Sequence, residues 1–148
     1  DVGATNRIRE IASYFNAEMV ICDKHRKRAN EIASMVVIGD VTDRDVVIID
    51  DICDTGGTLA KSAGLLKEKG ARTVRALITH PVLSGKAYEN IENSVLEELI
   101  VCDTIPVKKE SQKIKVLSVA ELFAVAIRNA YENKSITSLF IHSQRRDK

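Results

Sequence analysis

Residues 46–59 carry the densest chemistry in the chain. The run reads Val46-Val47-Ile48-Ile49-Asp50-Asp51-Ile52-Cys53-Asp54-Thr55-Gly56-Gly57-Thr58-Leu59. An apolar strand candidate ends on two adjacent carboxylates; a short loop and a helix start follow. Gly56 and Gly57 let backbone N–H groups approach a ligand closely. Thr55 and Thr58 add hydroxyl donors, and the helix N-terminus adds partial positive charge. Together they suit one phosphate monoester. Carboxylates beside a phosphate are repulsive, so Asp50 and Asp51 need their own explanation. They can accept hydrogen bonds from vicinal sugar hydroxyls or hold a hydrated Mg²⁺. A cradle with paired acids therefore fits a ribose phosphate better than a bare phosphate. The competing reading is an acidic turn that caps a helix, with Asp54 or Thr55 as N-cap.

A second cluster lies upstream. Asp23 is followed by Lys24, His25, Arg26, Lys27 and Arg28. These cations stand together beyond a short apolar run, and a solvated charged face is the plain reading. Cys22, Cys53 and Cys102 are odd in number and form no CxxC pair. They read as reduced, mostly buried thiols of a cytoplasmic protein.

Elements that would position these groups can be placed from periodicity. Residues 6–15 have Ile8, Ile11, Ala12 and Phe15 at helical spacing. Residues 19–22 and 35–38 are short apolar runs, read as buried strands. Residues 45–49 form the clearest strand, β-branched and bounded by charge. Residues 57–69 read as a helix with Leu59, Ala63, Leu65 and Leu66 on its apolar side and Gly70 as its stop. Strands follow at 74–79, 99–102 and 114–118, with a helix at 86–93. Residues 119–131 read as a helix with Leu122, Phe123, Ala126 and Ile127 facing inward. Strands alternating with helices imply an α/β fold: a mainly parallel sheet with helices on both faces, its ligand site beyond the carboxyl ends of the strands.

Composition sets the outer limits. The chain has 148 residues, 45 % hydrophobic and 29 % charged, with a net charge of +1. That is enough for one domain with a core. It makes no bulk electrostatic case for nucleic acid or an anionic membrane. No apolar run approaches the roughly 18 residues of a membrane span. Two prolines, Pro81 and Pro106, mark no interdomain linker, so residues 1–148 are expected to form one domain. The chain opens on Asp1 in mid-pattern, which points to a piece of something longer.

The strand-DD-x-x-DTGGT-helix run resembles the signature of the type I phosphoribosyltransferase fold, a Rossmann-like architecture. That fold serves enzymes that consume phosphoribosyl diphosphate and the synthetase that makes it. Further segments resemble the ribose-phosphate diphosphokinase family (phosphoribosyl pyrophosphate synthetases) over nearly the whole chain, as a C-terminal half. Asp1-Val2-Gly3 with Arg7 resembles the family's D-x-G-G-x-x-R, with Ala4 in place of the second Gly. Asp23-Lys24-His25-Arg26 resembles its K-x-R loop. Ile38-Gly39-Asp40-Val41, Thr79-His80-Pro81 with Ser84-Gly85, Thr104-Ile105-Pro106 and residues 135–140 resemble further family segments in matching order and spacing.

The resemblance implies transfer of the diphosphoryl group of Mg-ATP to the C1 hydroxyl of ribose 5-phosphate. It implies that Asp54, Thr55, Gly56, Gly57 and Thr58 hold the 5-phosphate, that Asp50 and Asp51 hold the ribose hydroxyls, and that Arg26 contributes to that site. Lys24 and Arg26 become the catalytic pair, a point charge and a fork suited to charge building on the transferring phosphoryl oxygens. Asp1 aligns with a Mg²⁺-ligating Asp, against a plain helix-capping acid. His80 is expected in a loop near a strand end, placed for structure. Ser135, Ile136, Thr137 and Phe140 match positions that bind phosphate or ADP between subunits in regulated members, against a simply packed C-terminal segment. A homo-oligomer built from dimers to hexamers is implied, with most ATP contacts outside this chain. Two other readings remain open. One is a phosphoribosyltransferase, which accounts for the loop but not for Lys24, Arg26 and the TIP segment. The other is a non-catalytic associated subunit, in which losses or insertions in the catalytic loop are expected.

Overall fold

Strand-forming runs spaced by short helical segments can bury their apolar surface only by lying side by side with crossovers between them. The computed structural model describes residues 2–25 and 34–140. The chain divides into two compact units, Val20–Leu117 and a second made of Asp1–Met19 with Ser118–Lys148.

Unit Val20–Leu117 contains β1 (Ile21–His25), β2 (Ser34–Ile38), β3 (Asp45–Cys53), α2 (Gly57–Glu68), β4 (Thr73–Pro81), α3 (Ala87–Glu92), β5 (Glu98–Cys102) and β6 (Ile114–Leu117). Strands β3, β4, β5 and β6 form a parallel sheet in that order. Strands β1 and β2 form a separate antiparallel pair, with Lys24 opposite Met35. The expected parallel α/β architecture is therefore present. The hairpin shifts one boundary: β1 runs through Asp23, Lys24 and His25, where the sequence suggested a strand ending at residue 22. Pairing with β2 carries the charged residues into the strand. Lys24 and His25 are thus on β1 rather than beyond its end.

The core shows why the helices sit where they do. In β4, Val74, Ala76 and Ile78 alternate as buried residues, and Leu99 and Val101 do so in β5. Leu59, Ala63 and Leu66 of α2 and Ala87 and Ile91 of α3 complete the same cluster. The opposite face of the sheet carries Val47 and Leu77, 49 % and 36 % exposed. Helix α2 stops as its sequence predicts. Gly70, with φ of 92°, donates to the Lys67 carbonyl at 3.0 Å, and Ala71 donates to the Leu66 carbonyl at 3.0 Å. This is the Schellman arrangement, which needs a left-handed residue at that position.

The second unit contains α1 (Val2–Tyr14), α4 (Ala120–Tyr131) and a 3₁₀ turn at Thr137–Leu139. Helix α1 begins four residues earlier than periodicity suggested. Helix α4 forms as expected, but its apolar stripe is not inward: Leu122, Phe123 and Ile127 are exposed, and no residue of the helix is buried. Periodicity specifies a stripe without supplying a surface to receive it, and this unit's few elements do not bury it.

Candidate functional site

Strand β3 delivers the acidic pair to the carboxyl end of the sheet. It runs on through Asp50 and Asp51 to Cys53, because pairing with β4 continues from Asp50 opposite Ile78 to Cys53 opposite Pro81. The sequence suggested a stop at residue 49; parallel ladder bonds outweigh the polarity of the two acids. Both carboxylates are exposed, and the Asp50 Oδ1 accepts a hydrogen bond from the Asp51 N–H at 2.9 Å. Partial desolvation pushes the Asp50 carboxyl above the usual carboxylate range. The Asp51 N–H pulls it down, while the Asp51 carboxylate pushes it up. Two adjacent acids of this kind suit a hydroxyl cluster or a cation.

The loop then turns into α2 at Gly56, which is buried and has φ of 71°. Gly56 is the N-cap, so no side chain caps this helix. The competing reading, in which Asp54 or Thr55 caps the helix, does not hold. The Ala60 N–H reaches the Gly56 carbonyl at 2.9 Å, while the earliest N–H groups of a helix have no intrahelical acceptor. Thr55 and Thr58 are exposed beside them. The arrangement can receive an anion without displacing a capping side chain.

The loop is braced from behind. The Leu83 and Ser84 N–H groups donate to the carbonyls of Cys53 and Asp54 at 3.1 and 3.0 Å. The Ser84 hydroxyl donates to the Asp54 carboxylate. The Asn90 side-chain amide donates to the Thr55 carbonyl at 2.8 Å. Sequence reasoning assigned no role to Ser84 or Asn90. The Ser84-Gly85 pair was a visible signal; Asn90 had none.

Cys53 is buried, and burial raises its thiol pKa, reinforced by Asp50 and Asp54. The Gly56 N–H opposes that shift, and the side chain packs in the core cluster. His80 lies on β4 rather than in a loop, opposite Ile52. Its Nδ1 is 2.9 Å from the Thr104 hydroxyl, which donates its single hydrogen to the Thr79 carbonyl at 2.8 Å. Thr104 must therefore accept from His80, so Nδ1 carries the hydrogen.

Other predicted residues are placed less completely. Lys24 is on β1, its backbone paired with Met35. Asp1 and Arg26 lie outside the described residues. Among the described residues no group of three or more His, Cys, Asp and Glu side chains is arranged to hold a metal ion. Ser135, Ile136, Thr137 and Phe140 lie in the second unit, around the 3₁₀ turn. The Ser135 Oγ bonds the Thr137 hydroxyl at 2.9 Å and accepts the Thr137 N–H at 3.1 Å. Ile136 and Phe140 are 40 % and 54 % exposed, which does not fit a tightly packed segment.

A family model described as phosphoribosyl synthetase-associated domain matches residues 12–141. The chain belongs to this family. Relatives include the ribose-phosphate pyrophosphokinases of Campylobacter jejuni, 53 % identical over 95 % of this chain, and of Wolinella succinogenes, 54 % identical over 95 %. Each is matched over 46 % of its own length, so the chain spans about half the length of the curated relatives it matches. Among solved structures, the phosphoribosylpyrophosphate synthetase of Mycobacterium smegmatis superposes with a TM-score of 0.75 at 34 % identity. That match covers 86 % of this chain and 42 % of the other. Family membership thus agrees with the parallel-sheet α/β fold. Among the described residues no helix is long and apolar enough to cross a membrane.

Proposed function

We propose that this chain is the ribose-5-phosphate-binding part of a ribose-phosphate diphosphokinase. The observation that carries the reading is a helix start capped by Gly56, without a capping side chain, on the short loop that follows two exposed carboxylates of β3. Asp54, Thr55, Gly56, Gly57 and Thr58 hold the 5-phosphate through backbone N–H and hydroxyl groups. Asp50 and Asp51 hold the ribose hydroxyls. The C1 hydroxyl oxygen then bonds to the β-phosphorus of ATP, the bond from that phosphorus to the α–β bridging oxygen breaks, and AMP leaves with that oxygen. The hydroxyl proton is released. Lys24 and Arg26 stabilise the charge on the transferring group.

The exposed, mutually repelling pair Asp50 and Asp51 also fits outer-sphere contact to a hydrated Mg²⁺; separately, the family resemblance gives Asp1 as a ligand of the Mg²⁺ that accompanies ATP. When bound, Mg²⁺ neutralises phosphate charge. ATP contacts and assembly through dimers to hexamers belong to the whole polypeptide, acting in the cytoplasm. The family description names an associated domain, which favours a non-catalytic subunit as the second reading. Intact Lys24, Arg26 and phosphate loop favour catalysis instead.

Calorimetric titration of the 148-residue chain with ribose 5-phosphate and with ribose tests the ligand: the phosphate ester binds and the free sugar does not. In the longer polypeptide, AMP release from ATP and ribose 5-phosphate tests the reaction, and Lys24→Ala should abolish it while ribose 5-phosphate still binds. Unchanged turnover in that variant would sink the catalytic assignment.

A further inference from the structure

We propose that the segment from Leu83 to Asn90 is a clamp that pre-sets the phosphate loop, with Ser84 and Asn90 as positioning residues that never touch the ligand. The inference rests on the phosphate-binding reading of residues 54–58. Three successive loop carbonyls, those of Cys53, Asp54 and Thr55, accept hydrogen bonds from Leu83 N–H, Ser84 N–H and the Asn90 amide at 3.1, 3.0 and 2.8 Å. The Ser84 hydroxyl adds a fourth bond, to the Asp54 carboxylate. Every carbonyl of this stretch is thereby turned toward one wall. A chain whose carbonyls are all fixed has little freedom left in its intervening N–H groups, the groups a phosphate would use.

The wall itself has an unusual backbone. Leu83 has φ of 47° and Gly85 has φ of 53°, so left-handed residues flank Ser84. Glycine adopts this conformation freely, whereas leucine is strained in it. Leu83 is also buried, at 5 % exposure. The strained turn is what lets two adjacent N–H groups, of Leu83 and Ser84, reach two adjacent loop carbonyls. Helix α3 supplies the rest: a Cβ on Gly56 would stand 3.2 Å from the Ala87 carbonyl oxygen, so the loop rests against the same helix that carries Asn90.

The bond to Asp54 has a second effect. A carboxylate beside the phosphate cradle repels the ligand less when its charge is shared with a donor, and the Ser84 hydroxyl is such a donor. Ser84 and Asn90 therefore set affinity for the phosphate group through loop geometry, and leave recognition of the sugar hydroxyls by Asp50 and Asp51 unchanged.

The test compares Ser84→Ala, Ser84→Thr and Asn90→Ala in the 148-residue chain. Each alanine variant should bind ribose 5-phosphate about tenfold more weakly, the scale of one lost hydrogen bond. Ser84→Thr keeps the hydroxyl and should restore binding. In ligand-free protein, hydrogen exchange of the backbone N–H groups at residues 55–58 should quicken about tenfold in the alanine variants, at little-changed melting temperature. Unchanged exchange and unchanged affinity in folded variants would overturn the clamp. Failure of Ser84→Thr to rescue, with both alanine variants simply melting early, would reduce the segment to packing. If the unsubstituted chain bound neither ribose 5-phosphate nor inorganic phosphate, the functional reading would fall, and the ligand-free exchange would still decide the clamp.

Discussion

Gly56 and Gly57 are adjacent but meet different demands, and alanine at each separates them. At Gly56 an L-residue must adopt φ near 71°, at roughly 1–2 kcal/mol. Its Cβ would also lie 3.2 Å from the Ala87 carbonyl oxygen and 3.4 Å from the Ile91 Cγ1. The first is backbone of α3 and cannot rotate aside, which adds about 1–2 kcal/mol of overpacking. Gly56→Ala should therefore cost about 2–4 kcal/mol, a fall of at least about 8 °C in Tm at roughly 4 °C per kcal/mol. Gly57 has ordinary φ, and its nearest neighbours would be the Asn90 Nδ2 at 3.8 Å and the Thr55 Oγ1 at 3.9 Å. It opens α2, so alanine there should gain about 0.5–1 kcal/mol. The added methyl nevertheless stands where a phosphate would meet the backbone, so ribose 5-phosphate affinity should fall about tenfold or more. Thermal melts followed by circular dichroism, with calorimetric titration of ribose 5-phosphate, measure both. A Gly57→Ala variant that binds normally would refute the claim that backbone approach explains this glycine; a Gly56→Ala variant that melts like the parent would refute the steric argument.

Lys113 donates to the carbonyls of Glu92 and Ser94 at 2.9 and 2.7 Å, closing the end of α3; Lys113→Ala should lower the urea-unfolding free energy by about 1–2 kcal/mol. Asp45 is held well below the usual carboxylate range by hydrogen bonds from Arg72 and then Thr73. A lowered folded pKa gives stability that is present above the unfolded value near about 4 and lost as pH falls through the folded value. Asp45→Asn should thus flatten the fall in the urea midpoint on acidification, and an unchanged acid profile would count against the contact. Asp50 has the opposite sign: its raised carboxyl favours the fold below the unfolded value near about 4, an advantage lost as pH rises through the folded value. Asp50→Asn should melt higher than the parent at pH 7, with no such gain at pH 3, and should bind ribose 5-phosphate more weakly at both.

The candidate site was legible in the sequence to the extent that it is local. Asp50, Asp51 and residues 54–58 lie within one short run, and the glycines at the helix start are visible in one dimension. Helix α2 starts at Gly57 as expected and ends one residue before its expected stop at 69, with Lys69 as C-cap, because Gly57 and Gly70 act on their own neighbours. What escaped were terms supplied by distant partners. The Thr55 carbonyl is held from α3 by Asn90, and Asp54 from beyond β4 by Ser84; neither pairing leaves a mark in local composition. Strand β3 outran its expected end because β4 continues to pair with it, and β1 took in Lys24 and His25 because β2 lies opposite. The stripe on α4 was read correctly as a stripe, but burial depends on a surface that periodicity does not specify.

The monotonic order of the four-stranded sheet bears on how the chain is made. Each strand pairs with the one synthesised just before it, so no strand waits for a distant partner to appear. The Asp54–Thr58 loop, α2, β4 and the bracing helix α3 all fall between Asp45 and Glu92. They are therefore complete before β5 and β6 have been translated. Pairing the loop with its brace therefore closes only short stretches of chain, which keeps the entropic cost of forming it low.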